Sequence, residues 1–161
     1  MLARVVESWA IAGGLLLLVI VGVTAANVGL YTTDAVAPGT VQVVAGYEDI
    51  VRLVVSAAAL MMLPYCQLKR GHVAVDIFTE HLRPRTVAAI ERVIYALMAA
   101  LALFLAYWML FGMLETHADA RVSPVLNWAE WPFYVPGLIS LGLWALVAFD
   151  QLRHPPGRGA G

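Results

Sequence analysis

The sequence predicts an all-α integral membrane protein with four transmembrane helices, an in-plane amphipathic arm helix between the second and third, and cytoplasmic N and C termini. Composition is the first observation behind this fold class. The chain of 161 residues is 61% hydrophobic and 13% charged, whereas soluble domains carry roughly 25% charged residues. The second observation is four apolar segments, each near the length of about 20 residues that spans a bilayer. The third is an uneven distribution of Lys and Arg between them.

The predicted spans form a single membrane domain over residues 1–161. The first apolar run is longer than the roughly 7–15 residues of a signal-peptide core, so we expect a retained helix. Within it, Gly14, Gly22, Ala26 and Gly29 share one face, where small side chains would let a helix of this chain or of a partner approach closely. The spans run from about 9 to 31, 47 to 68, 90 to 114 and 131 to 152.

Positive charge sets the predicted orientation. Lys and Arg precede span one, lie between spans two and three, and follow span four, whereas the loop 32–46 has none and the loop 115–130 has Arg121 alone. Because cytoplasmic loops carry the excess of Lys and Arg, both termini and the middle connection are predicted to be cytoplasmic. Trp128 and Trp131 then lie at the opposite interface, where amphipathic rings are enriched. Pro136, about a turn into span four, is expected to kink that helix.

The connection between spans two and three holds the predicted arm helix, residues 73–83. At about 100° per residue its apolar side chains fall on one face and its charged ones on the other. Such a helix lies in the plane of the membrane surface, and Pro84 is expected to end it. An ordinary polar loop that only fixes orientation is the alternative. The candidates for the arm and for contacts with lipid headgroups are Lys69, Arg70, His72, Asp76, Ile77, Phe78, Leu82, Arg83 and Arg85.

Acidic residues followed by a basic one open span two. Glu48 and Asp49 precede Arg52 in the stretch "YEDIVR", and an acid N-terminal to a base is the favourable order for an ion pair on a helix. We therefore expect Arg52 to pair with either acid and to anchor the helix end. The alternative is a contact with a ligand or another subunit, because charged groups inside a membrane are costly and often functional.

Other kinds of chemistry find little support in the residue pattern. The only cysteine, Cys66, allows no internal disulfide and no CxxC motif. The histidines, at positions 72, 81, 117 and 154, lie outside the spans and lack HxxxH or HExxH spacing, which argues against haem or a metal between helices. A net charge of -1 argues against a nucleic-acid partner. A membrane anchor of a redox enzyme remains the alternative function, and a stand-alone transporter or channel is a third.

Three segments together resemble the small membrane subunit, of the DctQ type, of tripartite ATP-independent periplasmic (TRAP) transporters. They are "YEDIVR" at the start of span two, "KRGHVAVDIFTEHLRP" in the arm, and "SPVLNWAEWPFYVPG" before and within the last span. The resemblance covers roughly residues 9–150. One departure is the stretch 27–31, because many members carry an arginine near this end of span one.

The resemblance implies a multi-pass protein of the bacterial inner membrane without catalytic residues or cofactors of its own. In this family the small subunit joins a large permease subunit that holds the substrate and sodium sites and moves as an elevator, while a periplasmic substrate-binding protein delivers an organic acid. The chain is thus expected to be a scaffold subunit of a sodium-coupled secondary transporter. Scaffold contacts are expected at Glu48, Asp49, Arg52, Trp128, Trp131 and Pro136, and contacts with the binding protein at Glu115, Asp119 and Arg121.

Overall fold

The computed structural model describes residues 2–36, 46–69 and 84–153, and these are helical apart from one ordered loop. Helix α1 covers Leu2–Val36, α2 Tyr47–Leu68, α3 Pro84–Ala118 and α4 Tyr134–Arg153, and one 3-10 turn, Trp131–Phe133, leads directly into α4. Four helical segments are long and apolar enough to cross a membrane, namely Leu2–Val36, Tyr47–Leu68, Thr86–Ala118 and Trp131–Arg153. The prediction of an all-helical chain with four candidate spans is therefore confirmed.

Two of the helices are longer than the predicted spans. Residues 32–36 and 115–118, expected in loops, continue α1 and α3. Hydropathy marks only the apolar part of a helix, whereas the helix itself can continue through polar residues. At the end of α1, the hydroxyl of Thr32 donates to the Val28 carbonyl at 2.9 Å and that of Thr33 to the Gly29 carbonyl at 2.8 Å. Such bonds to the preceding turn satisfy both hydroxyls without ending the helix.

The predicted arm, residues 73–83, lies outside the described residues. Of the arm candidates that are described, Arg85 is the second residue of α3. Lys69 follows α2, and its ammonium lies 5.7 Å from the centre of the Tyr65 ring, a distance at which the ring face attracts a cation. The candidates outside the described residues are Arg70, His72, Asp76, Ile77, Phe78, Leu82 and Arg83.

Helices α2 and α4 form the centre of the bundle. Helix α1 packs along α2, α2 along α4, and α4 along α3, so α1 and α3 each have one principal neighbour among the described helices. A core cluster joins α2, α3 and α4. It consists of Ala102, Leu141, Trp144 and Ala145, with Leu63, Met98, Ala106 and Met109 packed against it. Alanines on α3 and α4 leave space for the large Trp144 ring, as interdigitating large and small side chains require.

Helix α1 is buried along a single stripe. Its buried residues are Val6, Ala10, Gly13, Ile20 and Asn27. This spacing follows a seven-residue repeat, which is typical of a seam between two helices. At Gly13 the seam is so close that an added Cβ would lie 2.7 Å from Met61 Cβ. The predicted small-residue face, with Gly14, Gly22 and Gly29, meets open space within the described chain, because it lies beside the seam rather than on it.

Candidate functional site

One end of the bundle, which we call the loop end, carries the ordered loop between α3 and α4. Residues 119–130 fold back on themselves through an isolated antiparallel bridge between Val122 and Ala129. Inside this bridge the Ser123 amide donates to the Trp128 carbonyl at 2.8 Å. Asn127 has a φ of 52°, a left-handed conformation that asparagine adopts more readily than most residues. The reversal presents backbone N–H groups of the loop to the start of α2.

Asp49 fastens this loop to α2. Its carboxylate accepts the N–H of Val125 at 2.8 Å and the N–H of Leu126 at 3.1 Å, and the residue is 6% exposed. Asp49 stands in the first turn of α2, where the partial positive charge of the helix N-terminus favours a carboxylate. Gly46, just before the helix, has a φ of 84°, and an added Cβ would lie 2.8 Å from Leu126 Cδ2. This position therefore needs glycine both for its backbone conformation and for space.

The predicted pairing of Arg52 with Glu48 or Asp49 is wrong. Arg52 Nη2 instead contacts Glu130, which lies 78 residues further along the chain. The loop carries Glu130 to this position, since the Glu130 amide donates to the Arg121 carbonyl at 3.2 Å and closes the reversal. Two backbone bonds already occupy the Asp49 carboxylate. The Arg52 side chain is 57% exposed and that of Glu130 is 20% exposed, so the pair forms at the edge of the bundle.

The Arg52–Glu130 pair lines a recess of about 330 Å³ at the loop end, between α2, α3 and the start of α4. Its lining combines two chemical characters. The polar lining residues are Arg52, Ser56, Glu130 and Tyr134, and the apolar ones are Leu53, Ala57, Met109 and Phe133. The recess thus combines a charged pair, Arg52 and Glu130, which we call its rim, with an apolar lining.

The charged residues predicted to meet the binding protein come together in one exposed cluster. Arg121 Nη2 lies 2.9 Å from Asp119 Oδ2 and 3.7 Å from Glu115 Oε1. The hydrogen bonds that Arg121 donates to the Asp119 carboxylate, together with the negative charge of that carboxylate, raise the pKa of the Arg121 guanidinium, which therefore keeps its charge. Beside this cluster, the rings of Trp131 and His117 meet edge to face with centroids 5.2 Å apart.

The opposite end of the bundle holds a buried polar cluster that sequence analysis missed, and we call it the glutamine cluster. Gln67 Nε2 donates to Gln151 Oε1 at 2.7 Å, and Gln151 Nε2 donates to the Gln67 carbonyl at 3.0 Å. Trp144 Nε1 donates to Gln67 Oε1 at 3.3 Å. Gln67 is 1% exposed. The sequence contains a signal for this cluster. A glutamine lies near the end of both span two and span four, and buried amides need hydrogen-bond partners.

Pro136 belongs to a hydrogen-bonded link between α1 and α4. Ser140 Oγ donates to the Pro136 carbonyl at 2.7 Å and accepts the indole N–H of Trp9 at 2.9 Å. Pro136 is the third residue of α4, within the first turn, where amides have no partner inside the helix and a missing N–H costs no bond. The Pro136 carbonyl and the Ser140 hydroxyl thereby tie the first helix to the centre of the bundle.

One comparison with known proteins identifies the family of this chain. No curated protein and no solved structure shows significant similarity to the chain. The family model described as "Tripartite ATP-independent periplasmic transporters, DctQ component" matches residues 40–155. This range contains α2, α3 and α4, and with them the loop end and the glutamine cluster. The chain therefore belongs to the DctQ family of TRAP transporter components.

Proposed function

We propose that this chain is the small scaffold subunit of a sodium-coupled TRAP transporter for organic acids, and that it stabilises a large elevator-type permease subunit. The match to the DctQ component family supports the role of a small transporter subunit. Substrate and sodium then bind to the large subunit, and a periplasmic substrate-binding protein delivers the cargo. In this role the chain needs neither a cofactor nor a catalytic group of its own.

The observation that carries the proposal is that polar contacts fasten α2 to the α4 side of the bundle at both ends. At the loop end Asp49 holds the loop that precedes α4, and at the other end Gln67 holds Gln151 and Trp144. Apolar packing in a membrane sets register weakly, because lipid tails are as apolar as the side chains they replace. Hydrogen bonds at both ends prevent the two helices from sliding past each other. A scaffold beside a moving permease subunit needs this resistance to sliding.

The outer helices provide surface for a partner. Helix α1 is buried along one stripe only, with Leu18 68% exposed, and on α3 Leu97 is 64% and Trp108 60% exposed. On α3 the Trp108 ring packs edge to face against Phe104 and Tyr107, with centroids 6.4 and 6.0 Å away. Apolar faces of this kind meet either lipid or the helices of another subunit. In the proposed complex the large permease subunit covers part of these apolar faces of α1 and α3.

The proposed orientation follows from the charge distribution. The connection between α2 and α3 holds Lys69, Arg70 and Arg83, and more arginines follow early in α3. This connection therefore lies in the cytoplasm together with both termini, and the loop end faces the periplasm. Lys69 and the basic residues after it then meet phospholipid headgroups, at about 1 kcal/mol per cation near an anionic surface. The cluster of Glu115, Asp119 and Arg121 faces the periplasm, where the substrate-binding protein docks. The membrane is the bacterial inner membrane.

Uptake by proteoliposomes tests this role. We would compare vesicles that contain the large subunit alone, with this chain, or with a variant that carries Asp49→Ala and Gln67→Leu. A panel of labelled organic acids is supplied with the binding protein and a sodium gradient. We expect gradient-driven uptake with the natural chain and reduced uptake with the double variant, whereas Cys66→Ala, a change in the exposed residue next to Gln67, leaves uptake intact.

Three results would contradict the proposal. Full uptake by the large subunit without this chain would remove the need for a scaffold. Uptake by vesicles that contain this chain alone would favour a stand-alone transporter. A haem absorption band in the purified chain would favour the membrane anchor of a redox enzyme.

A further inference from the structure

The recess beside Arg52 stands at the boundary between polar and apolar parts of the bundle. Arg52 lies five residues after Tyr47, the first residue of α2, or about 7–8 Å along the helix at about 1.5 Å per residue. The polar layer of a bilayer is about 5–7 Å thick on each side of the hydrocarbon core. With the start of α2 at the outer edge of the polar layer, the rim of the recess lies at the boundary between the headgroups and the hydrocarbon core. The apolar lining residues Leu53, Met109 and Phe133 are then within reach of acyl chains.

The two charges on the rim have unequal access to solvent. The Arg52 side chain is 57% exposed, and its Nη2 is the atom in contact with Glu130, whose side chain is 20% exposed. A guanidinium has five N–H donors in a fork that fits phosphate oxygens, so Arg52 can bind a phosphate with its other donors. The Glu130 carboxylate is more enclosed. Whenever Arg52 turns toward an anion, this carboxylate loses its positive partner and needs another one.

These requirements define one ligand class. A ligand with a phosphate and an ammonium group a short distance apart satisfies Arg52 and Glu130 together. An ammonium with N–H groups can donate to the carboxylate, whereas a trimethylated one cannot. A lipid with net negative charge would leave Glu130 facing an anion. The volume of about 330 Å³ is near the lower end of small-molecule sites, about 300–1,000 Å³, which suits a headgroup and the first methylenes.

We propose that this recess binds the headgroup of a zwitterionic phospholipid with a primary ammonium, such as phosphatidylethanolamine. The phosphate contacts Arg52, the ammonium contacts Glu130, and the upper acyl chains lie over Leu53, Met109 and Phe133. This site does not depend on the scaffold role, because every residue in it belongs to this chain.

Native mass spectrometry of the full chain, purified with any companion it retains, tests the site. Phosphatidylethanolamine, phosphatidylcholine and phosphatidylglycerol with identical acyl chains are added in equal amounts, and the retained lipid is measured. We expect about a fivefold preference for phosphatidylethanolamine, the factor that corresponds to the net contribution of one hydrogen bond between the ammonium and Glu130. Arg52→Ala should abolish the preference. Arg121→Ala, which changes an exposed and paired arginine outside the recess, should leave it unchanged.

Glu130→Gln provides the sharper test, because it keeps the shape of the side chain and removes its charge. The rim then carries a net positive charge, so the preference should move to phosphatidylglycerol. Equal retention of the three lipids by the natural chain, or an unchanged preference in Glu130→Gln, would overturn the proposal. If glycerophosphoethanolamine, which has no acyl chains, competed for the site, the ligand would be a soluble zwitterion instead of a lipid. Loss of a protein companion in Arg52→Ala without any change in lipid retention would make the recess a protein contact instead.

Discussion

Removal of the Gln67 side-chain amide should weaken the bundle more than removal of both glutamine amides. In the glutamine cluster, Gln67 donates to Gln151 Oε1 at 2.7 Å and accepts from Trp144 at 3.3 Å. Gln67→Leu takes away both partners and leaves a buried carbonyl oxygen and an indole N–H without these bonds. Gln67→Leu combined with Gln151→Leu leaves no side-chain amide, and only the Trp144 indole N–H and the Gln67 backbone carbonyl lose a bond.

The magnitude follows from the geometry. A buried polar group that loses its partner costs about 1–3 kcal/mol. The bond from Trp144, at 3.3 Å, is at the long end of the normal range, so it contributes little. Gln67→Leu should thus lower the free energy of unfolding by about 2 kcal/mol, and the double variant by about 1 kcal/mol or less. The coupling between the two glutamines, which is the sum of the single losses minus the loss in the double variant, should therefore exceed about 1 kcal/mol, above the average of about 0.6 kcal/mol for hydrogen bonds between membrane helices.

A double-mutant cycle measures this coupling. Reversible unfolding in mixed detergent micelles, followed by tryptophan fluorescence, gives the free energy of unfolding for the natural chain, both single variants and the double variant. Cys66→Ala is the matched control, because Cys66 adjoins Gln67 in sequence but is exposed, and it should be neutral. Strictly additive losses would refute the reasoning, since they would mean that the two amides do not stabilise each other.

Three further changes test other contacts. Asp49→Ala should accelerate hydrogen exchange in the 122–130 loop by about tenfold, whereas Glu48→Ala should not; equal rates in both variants would contradict the assigned bonds. Gly13→Ala should lower the free energy of unfolding, because its Cβ would lie 2.7 Å from Met61 Cβ. Gly14→Ala, whose Cβ meets open space, should raise it by about 0.5–1 kcal/mol. A change of the same sign in both variants would refute the close packing of α1 on α2 at Gly13. Trp9→Phe should lower the free energy of unfolding by about 1 kcal/mol. An unchanged free energy would mean that the hydrogen bond from the Trp9 indole to Ser140 does not contribute to stability.

The helical architecture could be predicted because it depends on local properties of the chain. Lipid requires about 20 apolar residues in a spanning helix, and this signal is visible in hydropathy alone. The ends of the helices were harder to predict, since α1 continues through the polar residues Thr32 and Thr33, whose hydroxyls bond to the preceding turn. The arm at 73–83 lies outside the described residues, so it stays a prediction.

The partners of the polar residues depend on the tertiary fold. The rule for helical ion pairs considers only residues three or four positions away, so it selected Glu48 and Asp49 for Arg52. The actual partner, Glu130, comes from a loop 78 residues away, and its approach requires the left-handed turn at Asn127. No local pattern predicts that geometry.

The two glutamines illustrate a signal that was present but not used. An amide near the end of an otherwise apolar helix must find a partner. Gln67 and Gln151 stand at similar distances from the ends of α2 and α4, and these helices pack side by side. A search for equivalent polar positions in neighbouring spans would have suggested the pair, although the contribution of Trp144 depends on how the helices rotate.

Affinity purification tests the central claim most directly, which is that this chain supports a larger permease in a TRAP transporter. The chain is tagged in its native host, extracted in mild detergent, and its stoichiometric companions are identified by mass spectrometry. The account predicts one companion, a much larger protein with many membrane spans. A soluble redox subunit, or a chain that purifies alone under conditions that preserve other membrane complexes, would contradict it.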